Sequence, residues 1–227
     1  MPNHIHNTIY FESDAVSGES LSDGQLNRIL TTLKGGRQDA DIDFNVLVPM
    51  PESLNVEASS RGEQAHKAYK QYVTDKAQLT PEQTSLLADP EAFELGKKYY
   101  DNEQAYGHTT WYGWCCSNWG TKWNAYDTEA GPNYIAFNTA WDDVTPLVKK
   151  ISVLFPWVKI EYEHADMDDF GGNVGRHYFA HGHEVDWETP DSYTSDAYVL
   201  AADILGEDLE EMGFVYVNGE WKFDEER

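Results

Sequence analysis

The patterns of residues 134–166 predict a strand, a helix and a second strand joined by short connections. The first segment, YIAFNTA, and the last, VKIEYEHAD, alternate polar and apolar residues with the period of two that is typical of a half-buried strand. The segment between them places Leu147, Ile151 and Leu154 on one helical face, and Pro156 ends the helix. A helix between two strands packs on their sheet, so this stretch predicts a layered fold that contains both structures.

The other segments complete a recognisable order of elements. NTIYFES predicts a strand, and the next helix begins at the N-cap Ser22 and stops at Gly35–Gly36. DIDFNVLVPMP, with Ile42, Phe44 and Val46 on one face, predicts a second strand. The resulting order contains a split βαβ unit, so we predict an α+β fold, a ferredoxin-like split βαβ sandwich.

Two further segments lie outside that core. Residues 57–108 are charged and rich in Ala and Gln, which predicts a helical insertion. The last segment predicts an acidic helix and a hairpin with its turn at Asn218–Gly219. We therefore predict one ferredoxin-like domain over residues 1–190, with its insertion at about 57–108. Residues 191–227 would form an acidic C-terminal extension, a helix plus hairpin packed on that domain.

The acidic composition limits the possible partners. The chain has 40 acidic and 16 basic residues, a formal net charge of −24. Residues 161–227 contain 19 of the acids and only three bases, Arg176, Lys222 and Arg227. Such a field repels nucleic acid and anionic membranes and attracts basic protein surfaces. The sequence therefore argues against direct nucleic-acid or membrane binding, and it favours either a basic protein partner or acidity that serves solubility.

The expected compartment follows from the start of the chain and from its cysteines. The first residues lack the basic and apolar regions of a secretory signal, and no apolar run reaches the roughly 18 residues of a membrane span. The only two cysteines, Cys115 and Cys116, are adjacent and therefore poorly placed for a structural disulfide. We expect a reduced, cytoplasmic protein.

The segment WYGWCCSNWGTKWNAYD, residues 111–127, contains four tryptophans. A stacking platform for single-stranded nucleic acid needs a basic groove, but Lys122 is the only Lys or Arg in residues 99–148. We interpret these tryptophans as core residues whose indole N–H groups donate to carbonyl oxygens, and the two cysteines as buried and inert.

A histidine cluster is the basis of an alternative function. HYFAHGHE contains His177, His181 and His183, which would share one face of a regular strand and offer three zinc ligands. Gly182 interrupts that regularity, so solvated hairpin histidines are the preferred interpretation. A metal-binding protein or a metal-dependent enzyme stays open as the alternative. The sequence contains no GxSxG, P-loop or HExxH motif, so we expect neither catalysis nor a cofactor.

The acidic surface is the best candidate site. ADMDDFGG lacks the spacing of a calcium loop and predicts a turn instead. A mimic of DNA needs carboxylates in rows, and two groups of acids in the last third of the chain are the candidates for such rows. One group would line an edge of the histidine-containing hairpin, and the other would lie on the C-terminal helix. The predicted partner-binding residues are Asp166, Asp168, Asp169, Glu184, Asp186, Glu188, Asp191, Asp203, Glu207, Asp208, Glu210 and Glu211.

Four phrases together resemble one known family. They are FNVLVPMPESL (44–54), WGTKWNA (119–125), FNTAWDDVTPLVKKIS (137–152) and FGGNVG (170–175). In combination they resemble the YubB-like family of phage- and plasmid-borne proteins over roughly residues 40–190. The resemblance implies a ferredoxin-like fold with a helical insertion, and it supplies no assigned function and no catalytic residues.

The resemblance also implies a setting for the acidic surface. Small proteins of mobile elements often act on host machinery, and acidic ones include anti-CRISPR and antirestriction inhibitors that mimic DNA. The leading hypothesis is therefore a non-enzymatic, phage- or plasmid-encoded accessory protein. Its acidic surface would bind and block a basic, nucleic-acid-handling host protein. A structural or assembly factor is the other alternative to the metal site, and the oligomeric state is left open.

Overall fold

The computed structural model describes residues 3–14 and 20–224, which divide into two compact units. The first unit comprises residues 1–48 and 119–227, and the second comprises residues 49–118. Within the described residues, no helix has the length and apolar character needed to cross a membrane.

The first unit is built on a six-stranded antiparallel sheet. Its strands, in the order in which they lie in the sheet, are β2 (Tyr126–Ala130), β3 (Tyr134–Ala140), β1 (His4–Ser13), β4 (Val158–Asp166), β5 (Val174–Ala180) and β6 (His183–Glu188). Because β3 and β4 both run antiparallel to β1, they run parallel to each other. Helix α7 (Thr145–Leu154) connects them, which confirms the split βαβ unit and the α+β class.

One face of this sheet carries the main core. Alternate residues of the central strands, such as Ile9, Phe137 and Tyr162, are almost fully buried. Helix α7 buries Leu147, Val148 and Ile151 and contacts β4 and β5. Helix α1 (Asp23–Lys34) begins at the predicted N-cap, where Ser22 and Gln25 form a capping box.

The predicted second strand is wrong, because its residues form a short helix, α2 (Phe44–Leu47). The Asp43 side chain accepts the Asn45 amide and caps this helix, and the Asn124 amide also donates to Asp43 at 2.7 Å. Phe44 still reaches the core, where it contacts the Trp119 ring edge-to-face. The apolar residues were therefore correctly recognised as buried, but a local side-chain cap decided the backbone conformation.

Helix α8 (Ser195–Leu205) covers one end of the opposite sheet face. Ala197, Leu200 and Ala201 pack there against Ala165 and Val174. A separate hairpin of β7 (Phe214–Val217) and β8 (Glu220–Phe223) follows. Its turn is the predicted one, with positive φ angles of 58° at Asn218 and 91° at Gly219. The boundary predicted at residue 190 falls inside the first unit, and α8 belongs to its core.

The second unit is helical, as expected for the insertion. It contains α3 (Ser60–Asp75), α4 (Pro81–Leu87), α5 (Pro90–Tyr106) and most of α6 (Trp111–Trp119). Helices α3 and α5 pack closely at Gly96, where an added Cβ would lie 2.5 Å from the Ala65 carbonyl oxygen. Asp89 caps α5, and Gly107 ends it in the left-handed conformation with φ 73°.

Candidate functional site

The sheet face opposite the main core is covered by α8 only at one end. The rest of this face, which we call the open face, carries two rows of side chains that run across neighbouring strands. The strand register aligns Tyr134, Tyr10, Glu161, Tyr178 and Asp186 in the first row. It aligns Ala136, Thr8, Glu163, Arg176 and Glu188 in the second row. Residues directly opposite each other on antiparallel strands share a face, so the register itself builds this surface.

Arg176 is the centre of the open face. Its guanidinium lies 2.5 Å from the Glu163 carboxylate, 2.6 Å from that of Asp203, 3.3 Å from that of Glu161 and 3.7 Å from that of Glu188. One cation thus faces four anions, which leaves a local excess of negative charge. Burial alone would lower the pKa of Arg176, but hydrogen bonds to Asp203 and Glu163 outweigh it and raise that pKa.

The carboxylates around Arg176 are themselves crowded. Burial and then the neighbouring Glu163 raise the pKa of Glu161, and Arg176 opposes that shift. Glu163 is almost completely buried, so it depends on Arg176 for its compensation. The open face therefore holds a set of carboxylates that a further cation would stabilise.

Tyrosine rings lie among these carboxylates. The rings of Tyr10 and Tyr134 are 6.0 Å apart, and the Tyr178 hydroxyl donates to Glu161 at 3.3 Å. Burial and the charges of Glu163 and Glu161 raise the pKa of Tyr10. Aromatic faces beside carboxylates attract Lys and Arg side chains through both cation–π and ionic interactions. The arrangement is thus suited to basic groups of a partner.

A pocket of about 280 Å³ opens at the end of the first row. Three carboxylates line it, those of Glu12, Glu161 and Asp186, together with Lys159. Lys159 pairs with Asp14 at 3.2 Å, so its charge is already engaged. The pocket is therefore acidic in sum and of a size that admits one long side chain.

Ten of the twelve predicted acidic residues divide among three places. Asp186, Glu188 and Asp203 lie on the open face. Asp168, Asp169 and Asp191 belong to the loops around the β4–β5 turn. The acids placed on the C-terminal helix by the sequence interpretation mostly lie beyond it, because α8 ends at Gly206 with φ 69°. Those in the following loop are Glu207, Asp208, Glu210 and Glu211.

Asp166 and Glu184 have local structural roles. Asp166 is only 4% exposed, and one of its oxygens accepts the backbone amides of Asp168 and Asp169. This bonding forms the predicted turn and removes Asp166 from the surface available to a partner. The Glu184 carboxylate lies 2.6 Å from Nδ1 of His177.

The most central residues of the open face were missed by the sequence analysis. Glu161 and Glu163 were assigned only as the polar half of an alternating strand, and Tyr10 and Tyr178 were not singled out. The alternation of β4 did contain the signal, because it places both glutamates on the same face. Their proximity to Arg176 depends on the register of β4 against β5, which strand alternation alone does not define.

The structure separates the three histidines of the alternative metal site. His177 is buried on the core face, where its ring stacks on that of His164 with centroids 5.4 Å apart. His181 lies in the β5–β6 turn with φ 53° and pairs with Asp14 at 2.9 Å, and His183 is exposed. The predicted common face is wrong because the strand turns at His181. Over residues 3–14 and 20–224, no three His, Cys, Asp or Glu side chains are grouped to hold a metal.

The tryptophan segment divides between core and surface. Trp119 is 3% exposed and donates its indole N–H to the Val48 carbonyl at 3.0 Å, which confirms the core interpretation for this residue. Trp114 and Cys115 are also buried, and burial raises the pKa of the Cys115 thiol to about 12. Trp123, in contrast, is 42% exposed.

Comparison with known proteins identifies the fold of part of the chain. A search of curated proteins gives no match. The crystal structure of a protein api92 from Yersinia pseudotuberculosis is similar at 12% sequence identity and a TM-score of 0.39, over 85% of this chain and 99% of that one. Residues 118–216 match the family model of the ferredoxin-like domain in Api92-like protein, and the fold of this part of the chain is ferredoxin-like.

Proposed function

We propose that this chain is a non-enzymatic, cytoplasmic accessory protein of a phage or plasmid, of the YubB-like type. Its acidic open face binds a basic, nucleic-acid-handling host protein and blocks the groove that nucleic acid would occupy. An inhibitor that works by occlusion needs no catalytic residue. In its natural setting it would act against a host defence system, as anti-CRISPR and antirestriction proteins do.

One observation carries this proposal: four carboxylates surround the single guanidinium of Arg176 on a half-buried sheet face. Three of them, those of Glu161, Glu163 and Glu188, are held in place by strand register and therefore lose little conformational entropy when they bind a cation. Residues two apart on one strand lie roughly 6.6 Å apart, and neighbouring strands are about 4.8 Å apart. Glu161 and Asp186 share the first row and Glu163 and Glu188 share the second, an arrangement that supports competition with phosphates.

The overall charge supports the same function. A net charge of −24 accelerates encounter with a basic surface and repels competing nucleic acid. The interaction should therefore be strongly dependent on salt. A structural or assembly factor that binds through apolar contacts would bind its partner with little sensitivity to ionic strength.

The experiment is a pull-down from nuclease-treated bacterial lysate with stepwise salt elution and, in parallel, elution with duplex DNA. We expect a nucleic-acid-binding protein that is released both by salt and by DNA. The variant Asp186→Asn/Glu188→Gln should release it at lower salt. The matched variant Glu207→Gln/Glu211→Gln removes the same charge from the loop after α8 and should behave as the parent protein. A partner that resists both salt and DNA would refute the proposal.

A further inference from the structure

Strand β6 forms one edge of the sheet. No described strand pairs with its outer side, and all six of its residues, His183–Glu188, are exposed. An edge strand of this kind presents backbone N–H and C=O groups to any extended chain that approaches it. Peptides often bind by adding a strand to such an edge, with side-chain pockets providing specificity.

The side chains of β6 combine two features. Val185 and Trp187, the two large apolar side chains of this strand, are 62% and 63% exposed. Asp186 and Glu188 lie on the open-face side of β6, whereas Glu184 lies opposite Phe179 and pairs with His177 on the other face. Val185 and Asp186 also line the acidic pocket of the open face, so the edge and the pocket are continuous.

The charge of β6 determines which kind of strand can pair with it. If a second copy of this chain paired through the same strand, carboxylates would face carboxylates, and each copy has a net charge of −24. Like charges opposite each other destabilise a strand pair. A strand with basic residues at alternate positions would instead oppose Asp186 and Glu188 with cations and would pair with the exposed backbone groups of β6.

We infer that β6 binds an extended basic segment of the partner protein as an added strand, with one Lys or Arg side chain entering the pocket lined by Glu12, Glu161 and Asp186. The inference rests on the proposed function and specifies how the partner is held. The partner's cations point toward the pocket at every second residue, and the side chains between them face the exposed Trp187 ring, which lies on the other face of β6, opposite His177. The Trp187 amide, which donates to the Asp186 carboxylate at 2.9 Å, exchanges that acceptor for a backbone carbonyl of the added strand.

The test uses a fluorescent octapeptide of alternating Arg and Thr, acetylated and amidated, as the probe of strand addition. Two further peptides have the same charge. One is N-methylated on the backbone amides of its odd-numbered residues, and the other on those of its even-numbered residues. Since only one edge of an added strand faces β6, one methylated peptide should bind at least about 10-fold more weakly than the parent, the equivalent of one to two lost hydrogen bonds. The other should bind within about 3-fold of the parent.

Protein variants locate the site. Trp187→Ala should weaken binding of the parent peptide by about 3- to 10-fold, because the threonine side chains between the arginines lose their contact with the indole ring. Thermal stability should be unchanged because the Trp187 side chain is mostly exposed. Asp186→Asn should also weaken it, whereas Glu207→Gln should not. Equal affinities of all three peptides, or equal loss with both methylated peptides, would overturn strand addition.

The two proposals fail in different ways. If the peptides do not distinguish the two backbone edges but a DNA-displaced partner is still captured from lysate, occlusion by the acidic face stands and strand addition falls. If one edge is distinguished but the captured partner resists salt and DNA, β6 is an edge for basic strands and the occlusion function falls.

Discussion

The Nζ atom of Lys122 lies 3.8 Å from the ring centroid of Trp141. The ring of Trp123 lies at the same distance, so the ammonium group stands between two indole rings. Lys122 is almost fully buried, and Trp141 holds a positive φ of 76°, a conformation that non-glycine residues rarely adopt. The cation–π contacts therefore help to maintain a strained backbone position at Trp141.

Replacing this cation should destabilise the first unit. Lys122→Met keeps the length of the side chain and removes its charge, so we expect the free energy of unfolding to fall by about 1–2 kcal/mol. Urea denaturation followed by tryptophan fluorescence measures the loss. Lys149→Met, at an exposed position of α7, is the control and should change stability by less than about 0.5 kcal/mol. Equal stability of the two variants would mean that the indole contacts contribute nothing.

The same segment indicates what sequence reasoning can and cannot extract. The low number of cations near the tryptophans correctly predicts a structural role for Trp119. A single lysine is too little positive charge for a nucleic-acid site, so the sequence assigns Lys122 no role. Its actual role depends on Trp141, which lies 19 residues further along the chain and is brought close by the fold. Contacts of this kind depend on tertiary structure, and spacing along the chain does not reveal them.

Stability should depend on pH through His164. Burial lowers the pKa of His164 from its ordinary value of 6.5, and nearby His177 acts in the same direction, while Asp143 and Asn173 oppose the shift. The rings of Tyr162 and His177 both lie against that of His164, with centroids 5.6 and 5.4 Å away, and Gly175 leaves the space for both histidines. The folded protein therefore keeps this imidazole neutral where the unfolded chain would take up a proton.

The stability that neutral His164 provides is complete above the unfolded pKa, and it is lost as the pH falls from about 6.5 toward the lower pKa of the folded state. The net shift of the Asp143 pKa is downward because His164 and Thr145 together outweigh burial, so its contribution is lost only in more acidic solution, below about 3.8. Urea denaturation at about pH 7.5 and about pH 5.5 gives the free energy of unfolding at each pH. The difference between these two free energies should be smaller for His164→Phe than for the parent protein. His183→Gln, in the exposed hairpin, should leave that difference unchanged.

The two adjacent thiols should differ in reactivity. Burial, and then the charge of Cys116, raise the pKa of Cys115 to about 12, so its thiolate is scarce near neutral pH. Cys116 is partly exposed. We expect a thiol-reactive dye at about pH 8 to label at most one cysteine quickly in the native protein and both in urea. Cys116→Ser should abolish the fast phase, and Cys115→Ser should retain it; the reverse pattern would contradict the buried position of Cys115.

The fold could be predicted further than the site. Alternation and helical spacing located β1, β3, β4 and α7, because burial on one side imposes a period on the sequence. They failed at α2, where the Asp43 cap outweighed the strand pattern. The total acidity of the last third was visible, but the choice of carboxylates was incomplete, since Glu161 and Glu163 join Asp186 and Glu188 only through cross-strand register.

Arg176 should be the most sensitive position of the open face. Arg176→Met leaves the buried Glu163 carboxylate without its cation, and we expect the free energy of unfolding at neutral pH to fall by about 3 kcal/mol. Lys159→Met removes a lysine from an exposed ion pair with Asp14 and should lower the free energy of unfolding by less than about 1 kcal/mol. Thermal and urea unfolding of both variants measure the contrast.

Weak acid and a second substitution should each restore part of the stability that Arg176→Met loses. Arg176 opposes the upward shift of the Glu161 pKa, so without the guanidinium that pKa rises further. The Glu161 carboxyl then takes up a proton in weak acid, and the stability difference from the parent protein shrinks at about pH 4.5. Glu163→Gln in the Arg176→Met background should recover part of the loss, because no buried charge then lacks a cation. If the stability loss of Arg176→Met is the same at both pH values and is not relieved by Glu163→Gln, then Arg176 acts by packing alone. The open face would then lack the uncompensated carboxylates on which binding of a basic partner depends.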